Sequence, residues 1–484
     1  MIDIFSFFSW FGGLPMAIEL SNLMFTEQDD IVPPSGVEEI VINTGITNTL
    51  AGNDIINGGT NSISTWKSPT AAFNSAVYNN HTLNTADGND IIIGMGSRMV
   101  DYNINGHGIH NELGTIETGN GDDIITGRSD PTEDYSSGGL GIYNERGTIE
   151  TGNGNDIITG ISRGGGIQNM DGTINTGDGN DTITGNSNPD GDYTGVSEGT
   201  RISHGTIDTG KGNDVITGNG FLGILNLESI INTGDGNDLI IGNSTENSLS
   251  VFGILNTGLM DTGEDEDIIT GNSRILNNGT INTGNGADSI ISQEELINRG
   301  NVFLGEGNDS LIADAYLSNR AIENFDAIDT GDGDDIITST GVIYNEGVIN
   351  TGNGSDSIIV DGSSTGYGIY NNGGVINTGN GNDFIGANGG FESAPNSSGA
   401  WFLGDGEDYI KGFGSGDFYG GNGNDTLELT PGTYTVGIWG EAGESPIFTK
   451  GDQLMITSEF EKLKAGSTIY DFTSLTAGQI ITVA

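Results

Sequence analysis

Fifteen aspartates follow a short glycine-rich turn that recurs along most of the chain. The turn reads TGNGDD at 118–123, TGNGND at 151–156 and TGDGND at 176–181, and an apolar run follows each copy. A phrase that returns at intervals of 17 to 36 residues is typical of a repeat architecture. These aspartates are Asp54, Asp90, Asp123, Asp156, Asp181, Asp214, Asp238, Asp267, Asp288, Asp309, Asp335, Asp356, Asp383, Asp408 and Asp425.

Stacked carboxylates need a compensating charge. At about 4.8 Å between layers, neighbouring carboxylates repel by roughly 1 kcal/mol in water and about 3–4 kcal/mol near a protein surface. The chain has 14 Lys and Arg against 67 Asp and Glu, and of the basic residues only Lys211 lies in a turn. Bound cations are therefore expected, and carboxylate and carbonyl oxygens are the hard ligands that calcium prefers. Glycine before the Asp lets carbonyls turn inward, because it adopts positive φ freely. The alternative is a set of Asx-type turns that hold no metal.

The predicted Ca²⁺ ligands are fourteen of these aspartates. They are Asp90, Asp123, Asp156, Asp181, Asp214, Asp238, Asp267, Asp288, Asp309, Asp335, Asp356, Asp383, Asp408 and Asp425.

A second recurring phrase, an apolar residue followed two positions later by Asn, shows how each unit is built. The step from this Asn to the next turn aspartate stays at 10 to 12 residues, whereas the step from Asp to Asn ranges from 10 to 25. A unit with one segment of constant length and one of variable length indicates a solenoid coil whose loops all lie along one edge. The Asn positions are Asn79, Asn111, Asn144, Asn169, Asn226, Asn256, Asn277, Asn298, Asn324, Asn345 and Asn371, with His204 in the equivalent place once.

The shortest units, of 21 residues, divide into three strand candidates, such as GVIN at 347–350, DSIIV at 356–360 and GIYN at 368–371. The sequence thus predicts an all-β fold, a right-handed parallel β-helix with about three short strands per coil and terminal caps.

Two sets of isoleucines are expected to stack inside the coils. One set is Ile116, Ile149, Ile174, Ile207, Ile281, Ile349 and Ile376, and the other is Ile125, Ile158, Ile183 and Ile216. The recurring Asn is expected to form either an amide ladder or a series of left-handed turn residues. His204 is interpreted as a tolerated turn residue.

The turn resembles the calcium-binding nonapeptide of the repeats-in-toxin (RTX) family. Residues 420–428, GGNGNDTLE, satisfy every position of G-G-x-G-x-D-x-U-x, and most other copies replace the first Gly by Thr. Family repeats follow each other every nine residues, whereas here one turn serves 21 or more, which favours one calcium column on a larger coil. Leu50 and Ala86 replace a motif Gly, and GEDED at 263–267 lacks the second one, so weaker or empty sites are expected there.

The two ends differ from the repeats. Residues 1–40 are predicted to be an apolar N-terminal cap or an assembly segment that inserts into a neighbouring molecule, 41–430 the calcium-binding solenoid, and 431–484 a C-terminal β cap. The apolar stretch 2–25 has no Lys or Arg before Lys67 and contains Gly, Pro and Glu, so it fits neither a signal peptide nor a membrane span. The RTX resemblance implies type I secretion by an uncleaved C-terminal signal, for which 458–484 is the candidate, and hence an extracellular or cell-surface location.

Composition narrows the function. A net charge of −53 disfavours nucleic acid and anionic membranes as partners, and zero Cys excludes disulfides and thiolate chemistry. The four His look too dispersed for catalysis, and the acid pairs Asp122 with Asp123 and Asp334 with Asp335 fall within repeated turns. No enzymatic activity is expected, although a polysaccharide-acting β-helix enzyme is a less favoured alternative. The preferred interpretation is a calcium-loaded extracellular structural protein that self-assembles into filaments or a surface layer. An RTX-like adhesin or toxin is the alternative.

Overall fold

The fold is a parallel β-solenoid, as the repeat predicts. The structure is a computed structural model, and it describes residues 17–33, 40–59, 75–99, 104–130, 139–187, 197–245, 251–315, 319–361, 366–393, 399–440 and 445–484. The chain divides into two compact units, Met1–Gly263 and Glu264–Ala484. In both units, successive coils contribute strands to three parallel sheets, here numbered 1 to 3 in the order in which a coil visits them.

In the first unit each sheet pairs its strands in chain order, parallel and in register. The strands of sheet 1 are Ala17–Glu19, Ile40–Asn43, Val77–Asn79, Ile109–Glu112, Ile142–Glu145, Ile167–Met170, Glu198–Ser203, Leu222–Leu227 and Phe252–Asn256. Those of sheet 2 are Thr47–Asn48, Thr82–Asn84, Thr115–Glu117, Thr148–Glu150, Thr173–Asn175, Thr206–Asp208, Ile230–Asn232 and Leu259–Asp261. Those of sheet 3 are Ile31–Val32, Ile55–Gly59, Ile91–Met99, Ile124–Asp130, Ile157–Ser162, Thr182–Ser187, Val215–Gly220 and Leu239–Ser244. A short strand, Ile104–Asn105, pairs antiparallel with Ile91–Met99, and Leu20–Asn22 is a 3₁₀ turn.

The second unit repeats this plan and adds a cap. Its sheet 1 contains Arg274–Asn277, Leu296–Asn298, Arg320–Asn324, Val342–Asn345, Ile369–Asn371 and Phe391–Glu392. Its sheet 2 contains Thr280–Asn282, Asn301–Phe303, Ala327–Asp329, Val348–Asn350, Val375–Asn377, Ala400–Gly406 and Gly416–Gly423. Its sheet 3 contains Ile268–Gly271, Ser289–Ser292, Ser310–Ala313, Ile336–Ser339, Ser357–Val360, Phe384–Ala387, Tyr409–Lys411 and Thr426–Leu429.

The C-terminal residues of the second unit cover its last coil. Gln453–Ser458 and Lys462–Ala465 continue sheets 2 and 3 in parallel. Gly432–Trp439, Ser445–Lys450, Thr468–Asp471 and Ile480–Val483 pair antiparallel, and Phe472–Ser474 is a 3₁₀ turn. The candidate secretion segment 458–484 therefore takes part in this cap. The apolar segment proposed for N-terminal assembly lies outside the described residues up to position 16.

Each coil has the constant and elastic parts that the spacing predicts. The chain passes from sheet 1 to sheet 2, through the glycine-rich turn into sheet 3, and then along a connection of variable length back to sheet 1. That connection ranges from the single residue Phe221 to residues 60–76. A single glycine-rich turn precedes the sheet 3 strand of each coil from Ile55–Gly59 to Thr426–Leu429, so the two-sided RTX arrangement does not apply here.

Stacked isoleucines fill the interior as expected. Ile116, Ile149, Ile174 and Ile207 face one another on successive strands of sheet 2, and each is 0% exposed. Ile125, Ile158, Ile183 and Ile216 form the matching row on sheet 3. In the second unit Val302 and Ile328 join the row of Ile281, Ile349 and Ile376. Each such side chain contributes roughly 1.5–3 kcal/mol of transfer free energy, so the stack is held mainly by its interior.

The recurring Asn side chains form the amide ladder. Asn111 Nδ2 donates to Asn144 Oδ1 at 2.8 Å, Asn144 donates to Asn169 at 2.8 Å, and the same bond links Asn324 to Asn345 at 2.8 Å. The alternative of left-handed Asn residues is wrong, because the ladder Asn residues are absent from the positive-φ positions in the described parts of the chain. The left-handed residue lies two positions later, as at Leu113 (φ +61°) and Arg146 (φ +55°).

His204 does not occupy the Asn position. The residue opposite Asn169 on the next strand is Ile202, whereas His204 has φ +52° and a side chain that is 59% exposed. It is equivalent to Leu113 and Arg146, which confirms the interpretation as a turn residue but corrects its alignment. The sequence contained a sign of this misalignment. His204 precedes Asp214 by 10 residues, whereas the Asn residues precede their turn aspartates by 11 or 12.

Replacing Asn144 by Ala should destabilise the first unit by about 2–3 kcal/mol. The change removes two buried amide bonds, from Asn111 Nδ2 to Asn144 Oδ1 and from Asn144 Nδ2 to Asn169 Oδ1. Equilibrium urea unfolding measures the effect. Asn153→Ala, at an exposed turn position, is the matched control and should shift the midpoint little. Equal effects of the two substitutions would contradict a structural role for the ladder.

Among the described residues no helix is long and apolar enough to cross a membrane.

Candidate metal centre

Glycine predominates in the turn because successive layers approach closely there. Gly119 and Gly121 have φ of +90° and +147°. A Cβ on Gly121 would lie 1.8 Å from the carbonyl oxygen of Gly88 in the preceding layer, and a Cβ on Gly119 would lie 1.9 Å from that of Ala86. The glycines therefore bring backbone carbonyl oxygens of one layer against the turn of the next.

The turn aspartates form one hydrogen-bonded column in each unit. The Asp123 N–H donates to Oδ1 of Asp156 in the next layer at 2.8 Å, and the Asp335 N–H donates to Oδ1 of Asp356 at 2.9 Å. The same bond runs from Asp54 to Asp238 in the first unit and from Asp267 to Asp425 in the second, at 2.7 to 2.9 Å. The sequence-predicted ligands thus lie together, layer over layer, within each unit.

The other carboxylate oxygen is buried without a hydrogen-bond partner in nearly every layer. This holds for Oδ2 of Asp54, Asp90, Asp123, Asp156, Asp181, Asp214, Asp288, Asp309, Asp335, Asp356, Asp383, Asp408 and Asp425 within the described residues. These side chains are 0 to 1% exposed. An unpaired buried charge is costly, so each oxygen requires a proton or a cation.

The cost of burying these charges appears as raised pKa values of the carboxyl groups. Burial raises the pKa of Asp123, Asp181, Asp309 and Asp383 to about 7, far above the ordinary value of 3.8. Burial also raises the pKa of Asp90, Asp214, Asp288, Asp356 and Asp425 to about 6. The backbone N–H bond opposes the rise in each of these groups. Without a cation, much of the column would hold protons near neutral pH.

Sequence reasoning missed the residues that close the columns. Asp30 begins the first column, because its N–H donates to Asp54 Oδ1 at 2.8 Å, and its own Oδ2 accepts from the Thr26 N–H at 2.8 Å. Glu461 ends the second column, because its Oε2 accepts from the Asp425 N–H at 2.8 Å. Neither follows a Gly-x-Gly turn, but each directly precedes a strand of sheet 3, which is the only sequence signal.

The irregular turns keep the backbone path of the others. Leu50 and Ala86 take the positive φ of the missing first Gly, at +69° and +63°, and Asp265 takes that of the missing second Gly, at +81°. Asp54 and Asp90 remain in the hydrogen-bonded column. The expectation that these sites bind calcium less well stays a prediction.

The two members of each acid pair differ in exposure. Asp123 and Asp335 are buried, whereas their neighbours Asp122 and Asp334 are exposed. Each pair therefore presents one accessible carboxylate, and two flanking groups are what glycoside hydrolysis requires.

The expectation that all histidines are dispersed is wrong for one pair. The rings of His107 and His110 lie 5.4 Å apart, and His110 stacks on Tyr143 at 4.8 Å. Burial lowers the pKa of His107 to about 3 and also lowers that of His110. His107 Nδ1 accepts a hydrogen bond from the Leu140 N–H at 2.9 Å, so this ring has a structural contact.

The donor set of the turns fits calcium. In the described part of the chain, three or more His, Cys, Asp or Glu side chains nowhere converge in a metal-binding group. An ion at the column would therefore take carboxylate oxygen from the column aspartates and the rest from backbone carbonyls and water. An all-oxygen set suits Ca²⁺, and the buried Oδ2 atoms are the groups that lack a partner.

Comparison with known proteins gives a likeness in fold but none in sequence. No protein-family model matches the chain, and no curated protein matches it in sequence. The fold is similar to the X-ray crystal structure of a hyperactive, Ca²⁺-dependent, β-helical antifreeze protein from an Antarctic bacterium, with 20% identity and a TM-score of 0.38 over 75% of this chain and 84% of that one. At this TM-score the likeness carries no argument about ligands or function.

Proposed function

We propose that this protein is a calcium-loaded extracellular β-solenoid with a structural role. The observation that carries the proposal is the buried carboxylate oxygen without a partner, repeated in successive layers of both units. A single such atom would suggest a local defect, whereas regular repetition suggests that each layer has the same missing partner.

A divalent cation is the partner that neutral pH favours. The raised pKa values allow protons to fill the columns in acid, but above about pH 7 the carboxyl groups ionise. The chain has few basic side chains that could neutralise the negative charge of the columns. Lys211 pairs with the exposed Asp235 rather than with a column aspartate. Extracellular calcium modules bind with dissociation constants of about 10⁻⁴–10⁻³ M, which suits folding outside the cell.

The RTX-like turns supply the rest of the proposal. The resemblance implies export by type I secretion machinery without an N-terminal signal peptide, followed by folding when calcium is met. Self-assembly into filaments or a surface layer is part of the proposed structural role. Sedimentation velocity with calcium tests it, because exclusively monomeric protein at high concentration would contradict assembly.

An adhesin or toxin is the second candidate. The variable connections between sheets 3 and 1 all leave the coil at one corner, which is where a binding surface would form. We propose no enzymatic role, since the repeated aspartates serve as ligands and the acid pairs offer one accessible carboxylate each.

Asp335→Asn should remove much of the calcium response of the second unit. In calcium at pH 7.5 the variant should melt below wild type, because one column carboxylate is lost. In EDTA it should melt above wild type, because a buried charge is removed while an amide oxygen still accepts the Asp309 N–H. Differential scanning calorimetry measures both.

Asp334→Asn is the matched control. Its side chain is exposed and its oxygen accepts from the Ser355 N–H at 2.7 Å, a contact that the amide retains. It should follow wild type in both buffers. If Asp335→Asn shows no reversal between calcium and EDTA, the proposed metal column is wrong.

A further inference from the structure

The first residue of each glycine-rich turn differs between layers. It is Thr in most of them, Leu304 and Leu403 in two, and Gly420 in the last. The Thr residues and both Leu residues are at most 1% exposed, so the first position is an interior one. The Thr residues are Thr49, Thr85, Thr118, Thr151, Thr176, Thr209, Thr233, Thr262, Thr283, Thr330, Thr351 and Thr378.

Geometry places this side chain beside the unpartnered carboxylate oxygen. The Cβ that Gly420 lacks would lie 2.8 Å from Oδ2 of Asp425 in the same turn. A side chain at the first position therefore starts next to the atom that we assign to calcium.

The Thr hydroxyls are held by the layer above. Thr330 Oγ1 donates to the Thr351 carbonyl at 3.4 Å, Thr351 to that of Thr378 at 3.2 Å, and Thr378 to that of Leu403 at 3.0 Å. A hydroxyl that donates to a carbonyl keeps its lone pairs for a cation or a water. The ladder fixes the direction in which those lone pairs point.

The two leucines interrupt this ladder. Thr283 Oγ1 donates to the Leu304 carbonyl at 3.0 Å, but Leu304 has no hydroxyl to donate onward. Asp309 and Asp408 therefore have an apolar first-position neighbour in place of a hydroxyl. Asp309 keeps the same backbone bonds and the same unpartnered Oδ2 as the other layers.

We propose that the first-position Thr is a positioning residue for the bound cation, and that the layers of Asp309 and Asp408 bind calcium more weakly than layers that have both this Thr and the two turn glycines. This inference rests on the proposed calcium column. Calcium takes six to eight oxygen ligands, and groups that orient a ligand change metal affinity by about 10–100-fold. The hydroxyl adds an oriented oxygen beside Oδ2, whereas leucine occupies the same space without one.

Crystals of the full chain soaked at limiting Tb³⁺ test the proposal, because anomalous scattering reports the occupancy of each layer separately. In wild type, ions should appear at the Thr layers that keep both turn glycines before they appear at those of Asp309 and Asp408. Thr351→Val keeps the shape and removes the hydroxyl, and it should weaken the ion at the Asp356 layer by about 10–100-fold. Leu304→Thr should strengthen the ion at the Asp309 layer.

Thr338→Val, on the outer face of sheet 3, is the control and should leave all occupancies unchanged. Thermal unfolding in EDTA separates a loss of folding from a loss of ions. Equal occupancy of Leu and Thr layers, with no change in Thr351→Val, would overturn this inference and leave the calcium column standing. Absence of ions from every layer of wild type would overturn both.

Discussion

Stripped of divalent ions, the protein should be more stable at pH 4.5 than at pH 7.5, and calcium should reverse that order. The column carboxyl groups have folded-state pKa values raised to about 6 or 7, as at Asp123 and Asp356, while unfolded aspartate titrates near 3.8. Between these values the metal-free fold holds more protons than the unfolded chain. The contribution of these groups to the free energy of unfolding is therefore complete below about pH 4. It is lost as the pH rises towards 7.

Calcium acts in the opposite direction because it requires ionised carboxylates. Its stabilising effect should be small at pH 4.5, where protons occupy Oδ2, and large at pH 7.5. Thermal unfolding across this range, in EDTA and in calcium, measures both slopes. Repeating the series at high salt screens exposed charges more than buried ones, so a persistent slope assigns the effect to the columns. A metal-free melting temperature that rises with pH would contradict the buried acid columns.

Gly354→Ala should strongly destabilise the second unit. The glycine has φ +146°, and its new Cβ would lie 1.8 Å from the carbonyl oxygen of Gly333 in the neighbouring layer. Asp265 occupies this position in its own turn with φ +81°, so the Gly354 turn must change its path to admit a side chain, and a loss of about 2–4 kcal/mol is expected. Urea unfolding of the purified variant, or its recovery in the insoluble fraction, gives the result.

Gly366→Ala is the matched control for this effect. It also has positive φ, at +97°, but nothing lies within 4 Å of the new Cβ. Its cost should be limited to backbone strain of about 1–2 kcal/mol. Similar losses for both substitutions would show that strain, rather than the close stacking of layers, makes these glycines necessary.

The repeat made the coil predictable because every layer packs the same residue types at the same positions. The 21-residue units around GVIN and DSIIV supplied strand positions to within a residue, as Val348–Asn350 and Ser357–Val360 show. Isoleucine at fixed spacing likewise identified the interior rows. The strand positions and the isoleucine rows depend on short stretches of sequence, and the same stretch recurs in many coils.

Features without repetition were not predictable. Asp30 and Glu461 join the columns by register alone, and Glu461 carries a longer side chain than the motif allows. His204 was wrongly aligned with the ladder Asn because this coil has Ile202 at the Asn position. His204 itself lies at the left-handed turn position that follows. The contact of His107 with His110 depends on which side chains meet on sheet 1, and sequence separation says little about that.

The calcium content of the purified protein tests the account most directly. Protein dialysed to equilibrium at pH 7.5 in millimolar calcium, then analysed for metal per chain, should contain several calcium ions, and Asp335→Asn should contain fewer. Less than one calcium per folded chain under these conditions would contradict the assignment of the buried aspartate columns to calcium.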